Sequence, residues 1–504
     1  MKLRIDGDFS IQKGPFSNTL ESLTSGFRCP EWFKDAKIGF WSHWGPQSVP
    51  MYGDWYARRM YLEGDPVYYY HWRKYGHPSK FGYKDLLPLW KAERFDPEAL
   101  TDLFYRAGAR YMVAQAVHHD NFDNFDSTYQ PNFNSVNMGP HRDIVGEWKK
   151  AAEARGMHFG ISEHLAGSPG FFLAAKGCDS EGPYRGVPYD GCLPKFSELY
   201  YDETNTDMQW EKNWFCSKEE FHKHFFLRMK DAIDKYKPDL YYTDGPVPCG
   251  QYGIDLITHL YNTNAALHNG ENQAVFCQKD KTPSVFPLGI LDIERSQEDK
   301  KTDYYWQSDT SIGDWFYNLR DVYKPWNTIV EMIIDVVSKN GNVLLACPQL
   351  PDGQLDEECT WILEQIAGWM DINGEGIFAT RPWRTCGEGP TQFEHKGHID
   401  ENPTEWQPAN ADESAVAWKA GDIRFTQKGD ALYAFQMRWP GKNAIIRSLP
   451  LGQEEVQSVE LLGVNGTLPF EQTGAGLVVT LPDGAPCKDL SCLKIMLKSR
   501  NECR

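Results

Sequence analysis

The chain has 504 residues, of which 41% are hydrophobic and 24% charged, a globular composition with length enough for two domains. Its formal net charge of −18 at pH 7 would repel polyphosphate, so nucleic acid is not an expected partner. No apolar run reaches the roughly 20 residues of a membrane-spanning helix, so no membrane span is expected.

The cysteines and the N-terminus bear on the cellular compartment. The 12 cysteines are scattered without a CxxC pair, which argues against a zinc ribbon or a thioredoxin-like site. Most are expected to be buried free thiols, with one or two local disulfides as an option. The first 14 residues lack the apolar segment of a signal peptide. We therefore expect either a cytoplasmic protein or a secreted or periplasmic one from which a leader was removed.

Short apolar runs alternate with helical patterns along most of the chain. The apolar runs predict strands at residues 37–45, 108–115, 157–162, 239–244, 273–277 and 342–347. The helical patterns lie at residues 143–155, 218–236 and 359–373. This alternation is typical of a parallel sheet that closes into a (β/α)8-like barrel, here over residues 1–383. In such a barrel the chemistry lies at the carboxyl ends of the strands.

The composition changes after residue 383. Residues 384–415 are rich in Gly, Pro and Glu without periodicity, which predicts a linker. Beyond them, short alternating runs at residues 431–435, 456–462, 476–480 and 492–497 are separated by turn residues. They predict an antiparallel β-sandwich domain of about eight strands over residues 416–504.

Aromatic faces and paired carboxyl groups suggest carbohydrate chemistry. The chain has 18 Trp and 25 Tyr, and sugar rings stack on such faces. A retaining glycosidase needs one carboxylate as nucleophile and a second carboxyl group as proton donor. Asp244 leads as nucleophile because it closes a predicted strand, although a helix cap would explain it too. Glu294 leads as proton donor because its partly apolar segment would raise its pKa, and an ion pair with Arg295 is the alternative. Glu298 and Glu163 also lie in suitable loops.

Four histidines, His43, His118, His119 and His164, fall at or just after the carboxyl ends of predicted strands, the first of which runs into a loop within residues 37–45. Neutral imidazole both donates and accepts hydrogen bonds, so a group of them suits a polyhydroxylated ligand. A metal-dependent hydrolase is the alternative. Against it, His118 and His119 would point in opposite directions on an extended segment, and no HExxH pair exists. Nucleotide and esterase motifs (GxxxxGK[ST], GxGxxG, GxSxG) are absent. We expect neither a metal nor another cofactor.

An ordered set of short stretches runs through the predicted barrel. They are 32–39 (WFKDAKIG), 43–45 (HWG), 48–50 (SVP), 54–56 (DWY), 117–122 (VHHDNF), 125–127 (FDS), 142–145 (RDIV), 337–345 (VSKNGNVLL), 351–353 (PDG), 373–377 (NGEGI) and 380–383 (TRPW). Together they resemble the family 29 glycoside hydrolases, the α-L-fucosidases. The resemblance implies a retaining exo-enzyme that removes terminal α-L-fucose from a fucosylated oligosaccharide or polysaccharide through a covalent glycosyl-enzyme.

The resemblance also implies catalytic roles. The stretch 238–245 (PDLYYTDG) is similar to the strand end that carries the family's nucleophile, and this places the nucleophile at Asp244. Glu294 matches an acid/base found in an ERG-like segment of some members. Here Ser296 replaces the glycine of that segment, so Glu298 is kept as a second choice.

Substrate-binding positions follow in the same way. The resemblance implies hydroxyl contacts from His43, Asp54, Trp55, His118 and His119, and a pocket for the C6 methyl group from Trp41, Tyr52 and Trp315.

Three positions depart from the family pattern. Asp54 stands where Glu is common, Tyr242 where Trp is common, and His164 where an aromatic contact is usual. One methyl contact is worth only about 1 to 3 kcal/mol, so such changes would broaden the site toward L-galactose, which carries a C6 hydroxyl. An α-L-galactosidase, a broader α-L-glycosidase and a non-catalytic carbohydrate-binding relative are therefore the alternative functions.

Overall fold

The computed structural model describes residues 3–202, 215–391, 416–487 and 490–498. Its larger part is a closed barrel of eight parallel strands, in which β8 pairs with β1. The strands are β1 (Ile38–Ser42), β2 (Tyr111–Val117), β3 (His158–Glu163), β4 (Leu240–Thr243), β5 (Val275–Gln278), β6 (Ile290–Glu294), β7 (Trp306–Ser311) and β8 (Gly341–Ala346). The barrel predicted from the alternating pattern is confirmed.

Helices surround the barrel and fill the long connection between β1 and β2. Those of the described residues are α1 (Leu20–Gly26), α2 (Glu31–Ala36), α3 (Tyr56–Arg59), α4 (Pro66–Lys74), α5 (Tyr83–Leu86), α6 (Pro97–Arg106), α7 (Ile144–Ala154), α8 (Ser168–Phe171), α9 (Ser197–Tyr200), α10 (Glu219–Tyr236), α11 (Gln251–Leu267), α12 (Trp326–Ser338) and α13 (Glu357–Asn373). Helix α7 begins where the Asp143 side chain accepts from the Gly146 amide. Helix α10 ends at Lys237, which is left-handed and precedes Pro238.

Two barrel strands are not among the elements predicted from the sequence, and most of the helices are not either. Strands β6 and β7 bury Asp292, Gln307 and Asp309, so they lack the continuous apolar run of a barrel strand. Helices α11 and α12 were also missed. The polar side chains of β6 and β7 lie next to the pocket described below, which accounts for their unusual composition.

The C-terminal part is an antiparallel sandwich. Its strands are β9 (Arg381–Glu388), β10 (Ile423–Lys428), β11 (Ala431–Gln436), β12 (Asn443–Ile446), β13 (Val456–Leu461), β14 (Phe470–Thr473), β15 (Gly476–Thr480) and β16 (Ser491–Leu497). Five form one sheet in the order β13-β16-β11-β10-β9, and the other three form a second sheet in the order β12-β15-β14. Strand β9 spans the domain boundary expected at residue 383. Most of the expected linker, residues 392–415, lies outside the described residues.

The five-stranded sheet also packs against the barrel helices. Tyr433 and Phe435 of β11 belong to the same hydrophobic core as the barrel. The Trp369 ring of α13 lies 6.1 Å from that of Phe435, and its Nε1 donates to the Leu490 carbonyl at 3.0 Å. Barrel and sandwich therefore share buried surface.

The cysteines of the described residues are free thiols, so the optional local disulfides do not form among them. Cys503 lies outside the described residues. Within the described ranges, no helix is both long enough and apolar enough to cross a lipid bilayer.

Candidate active site

A cavity of about 380 Å³ opens at the carboxyl ends of the barrel strands. Its lining consists of Trp41, His43, Asp54, Trp55, His118, His119, His164, Phe215, Tyr242, Asp244, Gly245, Lys279, Glu294, Asp309 and Trp315. Every site residue predicted from the sequence lies in this wall except Tyr52.

One simple rule positions most of these side chains. Five barrel strands are each followed directly by a polar residue of the pocket, namely His43 after β1, His118 after β2, His164 after β3, Asp244 after β4 and Lys279 after β5. The carboxyl ends of parallel strands meet at one end of a barrel, so these residues converge on the same space. Adjacent His118 and His119 both face the pocket, contrary to the expectation of opposite directions, because β2 ends at Val117 and the chain turns there.

Lys279 joins the two predicted catalytic carboxylates. Its Nζ lies 2.6 Å from Oδ1 of Asp244 and also contacts Oε2 of Glu294. Because one nitrogen hydrogen-bonds to both, the two contacting oxygens are at most about 6 Å apart. Burial lowers the pKa of Lys279, but Asp244 and Glu294 outweigh burial and hold that pKa well above its usual value. The lysine is therefore a fixed cation between two acids.

The nucleophile candidate has a second partner in His119. Nδ1 of His119 donates to the His164 carbonyl at 2.7 Å, and this bond aims Nε2 at Oδ2 of Asp244, 3.3 Å away. Burial raises the pKa of Asp244, but the charge of Lys279 and the neighbouring imidazoles lower it more, so it lies well below the usual range. Asp244 is thus ionised, as attack on carbon requires.

The other acid/base candidates lie elsewhere. Glu298 accepts a hydrogen bond from the Tyr304 hydroxyl at 3.1 Å and is not part of the pocket lining. Glu163 is buried, accepts from the Leu165 amide at 2.7 Å, and has its pKa raised by burial to about 7. Of the three glutamates considered, Glu294 alone lines the pocket.

Three histidines form a neutral cluster on one side of the pocket. Nitrogen atoms of His43, His118 and His164 all lie within 4.8 Å of one another. Burial lowers the pKa of all three, that of His164 to about 3 and those of His43 and His118 well below the usual value. Among the described residues, neither ring nitrogen of His43 nor Nδ1 of His164 has a hydrogen-bond partner. Such rings can serve ligand hydroxyls, and they are also the donor set that a transition metal prefers.

The protonation of His118 follows from its neighbours. The Gln47 side-chain oxygen accepts from the Ala57 amide at 3.2 Å, so its Nε2 is the atom that donates to Nδ1 of His118 at 2.8 Å. The neutral ring then carries its hydrogen on Nε2, which lies 3.9 Å from Oδ1 of Asp54. This edge of the pocket offers both a donor and a carboxylate acceptor.

Next to the histidines the pocket wall combines aromatic rings, which contact His43, with a buried carboxyl pair. The rings of Trp41 and Trp315 lie 5.6 Å apart, and Trp41 also contacts Tyr242 at 4.9 Å. The Tyr242 hydroxyl donates to Asp309 at 3.0 Å. Asp309 lies near Asp292 of the paired strand β6. Burial raises the pKa of both carboxyls, and the charge of Asp309 raises that of Asp292 further.

Two family models match the chain. The model described as "Alpha-L-fucosidase" matches residues 7–375, and the model "Alpha-L-fucosidase C-terminal domain" matches residues 419–496. The chain belongs to the α-L-fucosidase family. The family predicted from the sequence motifs, glycoside hydrolase family 29, is therefore confirmed, and the chain is a glycoside hydrolase of that family.

Similar proteins carry the same family name. Tissue alpha-L-fucosidase of Homo sapiens is 28% identical over 469 residues, covering 91% of this chain and 86% of its own. The Rattus norvegicus protein of that name is 27% identical over 470 residues, covering 91% and 87%. A crystal structure of Thermotoga maritima alpha-fucosidase in complex with fucose shares the fold, with 23% identity, a TM-score of 0.72, and coverage of 95% of this chain and 100% of that one.

Tyr52 was expected from the α-L-fucosidase resemblance to line a methyl pocket, and the structure places it elsewhere. Its ring stacks on Tyr70 at 4.1 Å and lies beneath the Arg320 guanidinium, in the wall of a second cavity. Asp54, only two residues further along the same loop, does line the catalytic pocket.

Sequence reasoning missed Lys279, Asp309, Phe215 and Gly245 of this pocket. For Lys279 the signal was present, since it follows a predicted strand as Asp244 does. Asp309 lies within β7, which was not predicted as a strand. For Phe215 no motif in the sequence marks the position.

Proposed function

We propose that this family member is a retaining exo-α-L-fucosidase with Asp244 as nucleophile and Glu294 as general acid and base. The observation that carries the proposal is the contact of Lys279 with both carboxylates, which keeps their oxygens within about 6 Å. Retaining glycosidases hold their carboxyl groups about 5 to 5.5 Å apart, whereas inverting enzymes need about 6.5 to 9.5 Å to admit a water molecule.

The reaction then runs in two displacements. An Asp244 oxygen attacks the anomeric carbon, the bond to the leaving oxygen breaks, and the Glu294 proton passes to that oxygen. The sugar is now an ester of Asp244. Ionised Glu294 next takes a proton from water, whose oxygen attacks the same carbon and releases Asp244 as a carboxylate. While Asp244 is esterified, the charge of Lys279 faces ionised Glu294 alone, which stabilises the base form needed for the second step.

Recognition of a single terminal sugar fits the shape and polarity of the pocket. A volume of about 380 Å³ suits a small ligand, which supports exo-action. The neutral histidines supply both donors and acceptors for hydroxyl groups, and the facing rings of Trp41 and Trp315 offer apolar surface for a methyl group.

Hydrolysis of 4-nitrophenyl α-L-fucoside, followed by proton NMR, tests the proposal. We expect the α-anomer of L-fucose to be released first. The variant D244A should lose turnover by about 10³-fold or more while remaining folded. Azide should then restore D244A with formation of the β-fucosyl azide, whereas E294A with azide should form the α-fucosyl azide. Near-wild-type turnover of D244A, or first release of the β-anomer, would contradict the proposal.

A second glycone, α-L-galactose, is favoured by one observation. The Tyr242 hydroxyl and Asp309 form a polar pair directly beside the Trp41 ring, and a C6 hydroxyl needs a partner that a methyl group does not. We expect measurable hydrolysis of an α-L-galactoside, and Y242F should shift the ratio of kcat/KM values about tenfold toward the fucoside. An unchanged ratio in Y242F would remove the support for this glycone.

A further inference from the structure

A second cavity, of about 660 Å³, is lined by tyrosine, arginine and lysine side chains, most of them from α4. Its wall consists of Tyr52, Gly64, Pro66, Tyr69, Tyr70, Arg73 and Lys74. We call it the tyrosine cavity. None of these residues lines the catalytic pocket.

Two segments connect the tyrosine cavity to the catalytic pocket. Tyr52 lines the first cavity and Asp54 the second, and two residues of chain span at most about 7 Å. On the other side, Trp315 lines the catalytic pocket, while Asn318 forms a backbone bridge with Tyr52 and the Arg320 guanidinium lies 3.9 Å from the Tyr52 ring. The two cavities are therefore neighbours, joined by residues 52–54 and 315–320.

The tyrosine cavity exposes aromatic and apolar surface to solvent. Tyr52 and Tyr70 stack with their rings 4.1 Å apart, and Tyr69 is 44% exposed. Leu319, which is 62% exposed, adjoins the cavity because its amide donates to the Met51 carbonyl. Exposed aromatic rings beside a glycosidase pocket are surfaces on which sugar rings stack.

The cavity also concentrates positive charge. Arg73, Lys74 and Arg320 are all exposed around it, although the chain as a whole carries a net charge of −18. The Lys74 ammonium is held by the Tyr70 hydroxyl at 2.8 Å, so its position is fixed beside the aromatic surface. A local cationic cluster on an acidic protein selects an anionic group on its ligand.

We propose that the tyrosine cavity binds the part of the glycan next to the terminal sugar, and that it favours glycans carrying a negatively charged group there. The inference rests on the proposed fucosidase function. With the terminal sugar in the catalytic pocket, the adjoining sugars must extend out of it, and residues 52–54 connect that pocket to Tyr52 and the tyrosines of α4. The anionic group is a sulfate ester or a carboxylate, which share the same recognition by Arg73 and Lys74.

The test compares four substrates: 4-nitrophenyl α-L-fucoside, a neutral fucosylated trisaccharide, the same trisaccharide with one sulfate, and its uronic acid analogue. The variants are Y69A, R73A and the control R94A, whose exposed arginine lines a separate surface cavity. We expect the wild type to prefer the charged trisaccharides. R73A should lower their kcat/KM about fivefold without affecting the neutral one. Y69A should lower kcat/KM for all three trisaccharides by about threefold to tenfold.

The outcomes separate the two proposals. Hydrolysis of the aryl fucoside by the wild type tests the fucosidase proposal alone, and its absence overturns that proposal. If the aryl fucoside is hydrolysed but R73A and Y69A behave like R94A on every trisaccharide, the tyrosine cavity does not bind glycan. The sulfated and uronic acid substrates show which anion is preferred. Sodium chloride at high concentration should weaken the preference for either, because it screens exposed charges.

Discussion

Lys279 controls the charge of the catalytic pocket, because its ammonium contacts both Asp244 and Glu294. Its positive charge is a main reason why the pKa of Asp244 lies well below the usual value. In K279M the pKa of Asp244 should therefore rise. Since Asp244 must be ionised to attack, the acidic limb of the kcat/KM profile should move to higher pH.

The matched control for this experiment is K279R, which keeps the positive charge. It should leave the acidic limb close to its wild-type position even if kcat falls through altered geometry. The measurement is kcat/KM for 4-nitrophenyl α-L-fucoside between pH 3 and pH 8 in the wild type and both variants. An unshifted acidic limb in K279M would show that Lys279 does not set the ionisation of the nucleophile.

The cluster of His43, His118 and His164 predicts inhibition by zinc. Its nitrogen atoms lie within 4.8 Å of one another, and zinc bonds of about 2.0 to 2.1 Å would draw them to about 3.4 Å. Burial already keeps the rings neutral at neutral pH, which is the form that binds metal. His118 becomes a ligand only when Gln47 gives up its hydrogen bond to Nδ1, so zinc must displace that contact. Zn²⁺ should inhibit hydrolysis of the fucoside competitively, and EDTA should reverse the inhibition.

The variant H164Y removes one of the three ligands and should raise the zinc inhibition constant about tenfold or more. The exposed His141 provides a control, and H141A should leave the constant unchanged. Equal inhibition of H164Y and wild type would mean that zinc acts elsewhere.

At the level of elements, a barrel strand can be predicted from the sequence when it contains an apolar run. The pattern predicts β1 to β5 and β8 because each of them contains a short apolar run. The residues that follow these strands could then be placed in one pocket. Strands β6 and β7 escape the same reasoning because they bury Asp292, Gln307 and Asp309. Partners from other parts of the chain donate hydrogen bonds to these side chains, Tyr242 to Asp309 and Tyr111 to Gln307, and a sequence pattern does not show such partners.

The side-chain directions of loop residues are harder still to predict from the sequence. Tyr52 and Asp54 are two positions apart, yet their side chains line different cavities. Position 54 follows Gly53, whose φ of 84° is left-handed. The alternation of side-chain directions along an extended segment is therefore interrupted at Gly53. The family motif locates this loop along the chain, but the direction of each side chain depends on backbone angles that the motif does not encode.

Helix α10 supports the loop that carries two of the pocket histidines. Arg228 is fully buried and donates to both carboxylate oxygens of Asp123, at 2.8 and 2.7 Å, and to Asn121 at 2.6 Å. Asn121 and Asp123 lie shortly after His118 and His119 along the chain. The variant R228M would leave the Asp123 carboxylate buried without this cation, so we expect a loss of about 3 to 5 kcal/mol in unfolding free energy and a lower kcat/KM.

Thermal and urea unfolding would measure the change. The double variant R228M/D123L should recover part of the stability, because it removes both charges. The control is K223M on the same helix, which breaks an exposed pair with Glu219 and should leave the melting temperature unchanged. Wild-type stability in R228M would show that the ion pair does not support the loop.

At the scale of the whole molecule, barrel and sandwich are joined by a buried acid. Asp335 of α12 is 1% exposed, accepts from Lys339 at 2.8 Å, and also contacts Arg424 of β10. The two domains further share one hydrophobic core that includes Trp369 and Phe435. We therefore expect the wild type to unfold in a single calorimetric transition, because neither domain keeps its full core without the other.

The variant D335A should weaken this connection, because it leaves the charges of Lys339 and Arg424 without the carboxylate between them. We expect a loss of about 3 to 5 kcal/mol and a calorimetric trace that separates into two transitions. Below the first transition kcat/KM should stay near wild type, since Asp335 is not among the pocket residues. The control E364A on α13 breaks an exposed pair with Arg106 of α6 and should keep one transition. A single transition at the wild-type temperature in D335A would show that apolar contacts alone hold the domains together.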